Sequence, residues 1–334
     1  MSVSHDMSWL AFDIGAKKHA WSSDINGHRE HGTIDNDPAT LRTFLKSCLK
    51  KSKHLRVLAE ATGVYYLDVM VLAHELGAEV MVINPRQAHH FAKALGLRNK
   101  TDKMDADMLL ECLMRMPFRA WVPPRKSWRQ LRNYGRFLVQ LTEDGTAARN
   151  RLHALLNTKD SPAFLRTELK RIITTNDKRI ERVRAEAITL IKADDYLCER
   201  FDALVTMKGV AETSAVSILS ELATLPPTLS SRACVCHAGL DPRVYESGTS
   251  VHKAPRISRH GNKYLRRSLF HPAMSACTHD PGARAFKARL EARGKKKMQA
   301  NVAVMRKMLT AAWAIMKSPE PYDSTRLYAD LERP

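Results

Sequence analysis

The sequence predicts an α/β domain built on a mixed sheet, then a helical arm, then a mainly α-helical C-terminal region. Three observations carry this prediction. Short apolar runs alternate with helical patterns up to about residue 125. Charged, helix-period sequence follows to about residue 200. Short helical patterns and a dense basic cluster fill the remainder. The expected divisions are therefore 1–125, 126–200 and 201–334.

Residues 8–15 read as a strand. Residues 18–23 and 29–34 read as two more, joined by the turn Asp24-Ile25-Asn26-Gly27. Asp37-Pro38 starts a helix that runs to about Lys50. Leu55–Glu60 is a fourth strand, Tyr65–Leu76 a helix stopped by Gly77, and Ala78–Ile83 a fifth strand ended by Asn84-Pro85. Helices follow at about 86–95 and 103–115. Trp121-Val122-Pro123-Pro124 breaks the pattern and marks a domain edge. Two long antiparallel helices with a turn at Asn157–Pro162 make a coiled-coil-like arm, which connects domains or mediates dimerisation. Leu204–Ala211 resembles a helix-hairpin-helix turn, whose backbone N–H groups can face phosphate, although Ala211 stands where a second glycine is usual. Arg232–Gly239 reads as a helix, Tyr245–Ser250 as a polar loop, and basic helices start near Lys263 and Lys297.

Composition narrows the partners. Lys and Arg number 54 against 35 Asp and Glu, a net charge of +19. Between Arg243 and Lys307 there are 16 basic and 3 acidic residues, a local balance of +13, interrupted by Tyr264, Phe270 and Phe286. Such a concentration fits a nucleic-acid surface better than a merely solvated face. No apolar run reaches membrane-spanning length and the N-terminus lacks a signal-peptide pattern, so a cytoplasmic protein is expected. Six scattered cysteines fit free thiols in a reducing compartment. Cys234-Val235-Cys236-His237 has no second ligand pair at zinc spacing and reads as thiols buried on a helix.

Four acids stand out. Asp13 ends the run Leu10-Ala11-Phe12, and Glu60 ends Val57-Leu58-Ala59. Asp102 and Asp105, three apart, share one face at a helix start. Mg²⁺ wants hard oxygens and keeps positions open for water and phosphate, so strand-end carboxylates in a basic protein suit phosphodiester chemistry. Each acid alone also reads as an ordinary cap or turn residue. Arg98 and Lys100 precede Asp102 and could contact the scissile strand, or lie in a solvated loop.

Together these segments resemble the IS110 type of insertion-sequence recombinases, DEDD transposases with an RNase H/RuvC-like domain. The carrying residues are the Asp13 strand, Glu60-Ala61-Thr62-Gly63, Ile83-Asn84-Pro85 and the Gly96–Ala106 segment containing Asp102 and Asp105. Further on they are Ala238–Arg243, Tyr245-Glu246-Ser247-Gly248 and Lys263-Tyr264-Leu265-Arg266-Arg267. The resemblance implies that Asp13, Glu60, Asp102 and Asp105 bind Mg²⁺ and that Ser247 is the nucleophile of a covalent phosphoserine link to DNA. It further implies a homodimer or homotetramer, with the serine of one subunit facing the acids of another, and guidance by a structured non-coding bridge RNA that pairs with donor and target DNA. Tyr245 is a rival nucleophile. Arg243, Lys253, Arg256, Arg259, Lys263, Arg266 and Arg267 flank the serine and are candidate nucleic-acid contacts. A RuvC-like nuclease without a covalent intermediate needs the acids but no serine, and a purely binding protein needs only the basic surface.

Overall fold

The computed structural model describes residues 7–52, 54–96, 102–247 and 251–328; of residues 102, 103, 244–247 and 251–255 it describes the backbone only. The chain divides at Pro123/Pro124 into two compact units. In the first, three strands run β1 Met7–Asp13, β2 Lys18–Ile25 and β3 His28–Asp35. Then come α1 Pro38–Lys51, β4 His54–Glu60, α2 Tyr66–Glu75, β5 Glu79–Ile83, α3 Pro85–Ala94 and α4 Asp102–Arg115. The sheet order is β3-β2-β1-β4-β5; β1, β4 and β5 are parallel, and β2 is antiparallel to both its neighbours.

Local chemistry sets these boundaries. Asn26 and Gly27 take φ of 53° and 82° and close the β2–β3 hairpin, as an Asn-Gly pair does at least cost. The β1–β2 turn needs a glycine for space: a Cβ on Gly15 would sit 2.2 Å from the Lys18 carbonyl oxygen. Asp37 caps α1 by accepting from the Thr40 N–H at 2.9 Å, and Asn84 caps α3 by accepting from Arg86 N–H at 2.9 Å, each followed by a proline at the first helical position. One sheet face packs Leu10, Phe12, Val57 and Val80 beneath α1 and α2. The other packs Ala11, Leu58, Met81 and Ile83 beneath α3 and α4.

The second unit begins with α5 Lys126–Leu156 and α6 Ala163–Lys192, which lie side by side. They run antiparallel: Ser127 meets Asp194 near one end, while the Asn176 amide donates to the Leu141 carbonyl and Arg149 pairs with Asp177 towards the other. Next are α7 Asp195–Val205, α8 Glu212–Leu222 and α9 Ser231–His237. A two-stranded antiparallel sheet follows, β6 Pro242–Ser247 and β7 Val251–Ile257. The chain then forms α10 Lys263–Ser268, α11 Phe270–His279, α12 Pro281–Ala292, α13 Lys297–Lys317 and α14 Ser324–Tyr328. Helix α8 is central, with every position from Ala215 to Leu222 buried. Its core continues through Leu204, Leu265, Met308, Leu309 and Trp313. Among the described residues no helix is long and apolar enough to cross a membrane.

One sequence expectation changes here and another gains detail. The polar loop expected at 245–250 is in part a hairpin, because Arg243–Ser247 and Val251–Ile257 pair across it. The α7–α8 turn exists, with Gly209 at φ 91°, but a Cβ there would meet the Pro272 carbonyl oxygen at 2.5 Å and the Ala276 nitrogen at 2.8 Å. This turn is therefore packed against α11 on the Cβ side of Gly209.

Candidate nucleic-acid processing site

Side-chain period and strand register bring two of the acids together. The β1–β4 ladder pairs Phe12 with Ala59, so Asp13 and Glu60 come next, side by side at the C-terminal ends of adjacent parallel strands. Neighbouring strands lie about 4.8 Å apart. Side chains alternate between faces, and Ala11 and Leu58 face the α4 layer, so Asp13 and Glu60 face it too. The Glu60 Oε1 accepts a hydrogen bond from the Thr62 hydroxyl at 2.8 Å, which restricts how the carboxylate turns. Both acids are half-buried, and so is Asp105.

Two contacts orient α4. The Ser22 hydroxyl on β2 donates to Asp107 at 2.6 Å, and Arg29 pairs with Glu111 at 2.8 Å. Moving from Asp107 to Glu111 thus follows β2 from residue 22 towards its end, antiparallel to β1. The start of α4 accordingly lies towards Ala20, which pairs with Asp13. A helix rises about 1.5 Å per residue, so position 102 is about 7.5 Å back from Asp107. Ala20 is two strand residues from Ser22, about 6.8 Å. The backbone of Asp102 is therefore level with Asp13, and Asp105 lies one turn before the sheet-facing Leu109. The Asp102 side chain is outside the described atoms, as are residues 98 and 100 altogether. Among the described residues no three carboxylate, imidazole or thiol groups form a metal cluster.

The donor chemistry nonetheless fits a hard divalent ion: carboxylates at a strand edge and a helix start, with a hydroxyl steering one of them. The cleft between β2–β3 and α4, about 390 Å³, is lined by Ser22, Arg29, His31, Met104, Asp107 and Glu111, and among the described residues its lining does not include Asp13, Glu60 or Asp105.

In the second unit the β6–β7 hairpin holds Ser247 opposite Val251 at the end of β6; of the side chains of Tyr245, Ser247 and Lys253 nothing is described. Arg243, Arg256, Arg259 and Lys263 are exposed. Arg259, Lys263, Arg266 and Arg267 rim a cleft of about 380 Å³ floored by Val139, Phe270, Met298 and Met305. Two of its cations have internal partners: Arg266 donates to the Ala238 carbonyl at 2.8 Å, and Arg267 pairs with Glu143 at 3.0 Å. The Cys234 thiol is buried and pushed up to about 12 by that burial, whereas Cys236 is exposed, so the Cys-Val-Cys segment is only half hidden.

The chain matches two family models. Residues 10–159 match the DEDD transposase of IS110, and residues 202–288 match the transposase family of IS116, IS110 and IS902. The chain belongs to the IS110 family of transposases. As such it is a DNA transposase or site-specific recombinase, and the DEDD model points to dependence on a divalent metal. The transposase is 29% identical to a pilin gene-inverting protein of Moraxella lacunata over 327 residues, 96% of this chain and 97% of the relative. A pilin gene-inverting protein of Moraxella bovis is 29% identical over 80% of this chain and 82% of its own length. The transposase for insertion sequence element IS1328 of Yersinia enterocolitica is 27% identical over 58% of this chain and 63% of its own.

Sequence reasoning missed a buried polar group in this transposase. Glu221 on α8 is 1% exposed, yet its carboxylate accepts from Arg132 Nε at 2.9 Å, Arg136 Nε at 2.6 Å and Asn262 Nδ2 at 2.6 Å. Burial opposes its ionisation, but Arg132, Arg136 and Asn262 outweigh that and hold its pKa below the usual carboxylate value. The available signal was one acid inside the apolar helix Ile218-Leu219-Ser220-Glu221-Leu222, facing two arginines four apart on α5.

Proposed function

We propose that this transposase cuts and rejoins donor and target DNA through a covalent phosphoserine intermediate on Ser247, with Mg²⁺ held by Asp13, Glu60, Asp102 and Asp105. The observation that carries this reading is the shared strand edge of Asp13 and Glu60, with the start of α4 level with it. The β3-β2-β1-β4-β5 order, with β2 running opposite to the other four strands, supports an RNase H/RuvC-like domain. A bound divalent ion neutralises charge on the scissile phosphate. The Ser247 Oγ–phosphorus bond forms as one strand P–O bond breaks, and the serine proton ends on the oxygen that leaves; rejoining is the reverse.

The remaining assignments extend the same reading. Arg243, Lys253, Arg256, Arg259 and Lys263 hold the DNA or RNA backbone, joined by Arg266 and Arg267 at the cleft and by Arg98 and Lys100 ahead of the acids. The α5–α6 pair acts as a coiled-coil arm between a catalytic domain at 1–125 and a serine-bearing domain from 201 onward. Two or four copies assemble so that acids and serine meet. A structured guide RNA selects the sites by pairing. Six free thiols fit work in the reducing cytoplasm, at the nucleoid when DNA is bound.

The test is adduct trapping. Wild-type protein with Mg²⁺ and donor DNA gives a protein–DNA adduct resistant to denaturant; Ser247→Ala abolishes it and Tyr245→Phe leaves it. An adduct that survives Ser247→Ala sinks the serine assignment. Undiminished activity in Asp102→Asn/Asp105→Asn sinks the metal assignment. Sequencing of co-purified RNA tests guidance, and the absence of any discrete species counts against it.

A further inference from the structure

The hairpin that carries Ser247 is rooted in a tightly fastened block. Asp241, just before β6, and Ser258, just after β7, are joined twice: the Ser258 hydroxyl donates to Asp241 Oδ1 at 2.6 Å and the Ser258 N–H to the Asp241 carbonyl at 2.9 Å. The Arg259 N–H donates to the Gly239 carbonyl at 3.1 Å. Only glycine fits at 261, where φ is 120° and a Cβ would lie 2.1 Å from the His237 carbonyl oxygen. Asn262 is then tied on every side, its Nδ2 also lying 3.4 Å from His237 Nε2. Its N–H donates to the His237 carbonyl at 2.7 Å, its Oδ1 caps α10 by accepting from Tyr264 and Leu265 N–H, and its Nδ2 donates to Glu221 at 2.6 Å. Glu221 in turn is held by Arg132 and Arg136 of α5, and the Arg136 guanidinium also lies 4.6 Å over the Tyr264 ring of α10.

We propose that the buried Glu221 carboxylate is a positioning residue for strand cleavage: through Asn262 it sets the root of the Ser247 hairpin, and through Arg132 and Arg136 it makes that setting follow helix α5. This rests on Ser247 being the nucleophile. A buried ion pair adds little to stability compared with a well-packed apolar replacement, but it fixes one geometry. Leverage makes that geometry matter. Ser247 stands about five strand residues, roughly 17 Å, from the root. A turn of about 5° at the root moves it about 1.5 Å, and misplacement of about 1 Å is enough to slow chemistry by around a hundredfold.

The experiment measures single-turnover adduct formation at saturating donor DNA, together with DNA affinity, on the full-length protein. It is run well below the melting midpoint of every variant. Asn262→Asp keeps the oxygen that caps α10 but turns a carboxylate towards Glu221. It is expected to slow adduct formation by at least about tenfold at unchanged DNA affinity. Adding Glu221→Gln lets the new amide donate to the new carboxylate, at the loss of the oxygen that accepts from Arg132, and is expected to restore part of the rate. A merely structural contact moves the melting midpoint without this loss and recovery of rate. If Asn262→Asp does not fold, Arg136→Lys takes its place: the charge stays, the Nε contact to Glu221 is lost, and the same slowing is expected. Wild-type rates in the folded tether variant, or no recovery in the double variant, overturn the proposal. An adduct that persists in Ser247→Ala is a separate outcome: it defeats the nucleophile assignment, and the positioning role falls with it.

Discussion

Gly135 offers a sharp test of how α5 is seated on the core. It is buried in the middle of a 31-residue helix, where glycine costs about 1 kcal/mol relative to alanine. On propensity alone, Gly135→Ala should stabilise. A Cβ at this position, however, would lie 1.9 Å from Ser220 Oγ and 2.6 Å from Ser220 Cβ on α8. Neither helix can yield cheaply, because α8 is buried on all sides. Overpacking of this kind costs about 1–3 kcal/mol; less the propensity gain of about 1 kcal/mol, the net loss is up to about 2 kcal/mol, and at about 2–4 °C per kcal/mol for a unit of this size the melting midpoint should fall by up to about 8 °C. Relief should be graded. Ser220→Ala removes the 1.9 Å contact and leaves the 2.6 Å one, whereas Ser220→Gly removes both and leaves Ser217 Cα at 3.4 Å as the nearest atom. The Gly135→Ala/Ser220→Gly double variant should therefore show a favourable coupling of at least about 1 kcal/mol in a thermodynamic cycle. Urea and thermal unfolding followed by circular dichroism measure it. If Gly135→Ala melts above the wild-type temperature and the double variant shows no coupling, α5 and α8 do not approach this closely, and the shared seat of Arg132, Arg136 and Glu221 beside them is wrong.

Four further outcomes are expected. His19 is fully buried, and burial lowers its pKa below 6.5 against the opposing pull of the Asn36 side chain and the Gly15 backbone, so folding favours its neutral form; His19→Leu should reduce the stability lost as pH falls below 6.5, read from unfolding curves at pH 7.5 and 5.5. Glu221 works in the opposite charge sense: its folded pKa lies below 4.5, so its contribution is present above pH 4.5 and is lost on acidification through the folded value, and Glu221→Gln should flatten that acid limb of stability. Maleimide labelling at neutral pH, read by mass spectrometry, should modify exposed Cys236 first and leave Cys234 and Cys112, with thiols pushed up to about 12 and about 11, unmodified until the protein unfolds. Lys263→Ala and Arg259→Ala should each lower the slope of log DNA affinity against log salt by about 1, measured by titration at several salt concentrations; an unchanged slope removes that residue from the backbone contacts.

Much of the first unit was legible because its signals are local. Asn26-Gly27, Asp37-Pro38, Gly77 and Asn84-Pro85 each dictate a turn or a helix end by their own backbone chemistry, and all fall where the elements change. Asp13 and Glu60 were legible as strand-end acids for the same reason. Their adjacency was not, since it depends on a parallel ladder between segments 47 residues apart. The second unit hid more. Pro255 and the polar run around Ser247 mask the β6–β7 pairing, which is set by the ties at Asp241 and Ser258. Glu221 stands out only as one acid within an apolar helix, and nothing local announces that α5 arrives with two guanidinium groups.

The alternation of faces along β1 and β4 also constrains how this gene can vary. Loss or gain of one codon inside either strand would keep the strand but turn its terminal acid over to the α1–α2 side, away from α4. Two codons would restore the face while moving the acid by about 7 Å along the edge. The reading frame of the fold is thus stricter here than that of the genetic code, and length changes near the acids can be absorbed only beyond the strands, in the turns that follow Asp13 and Glu60.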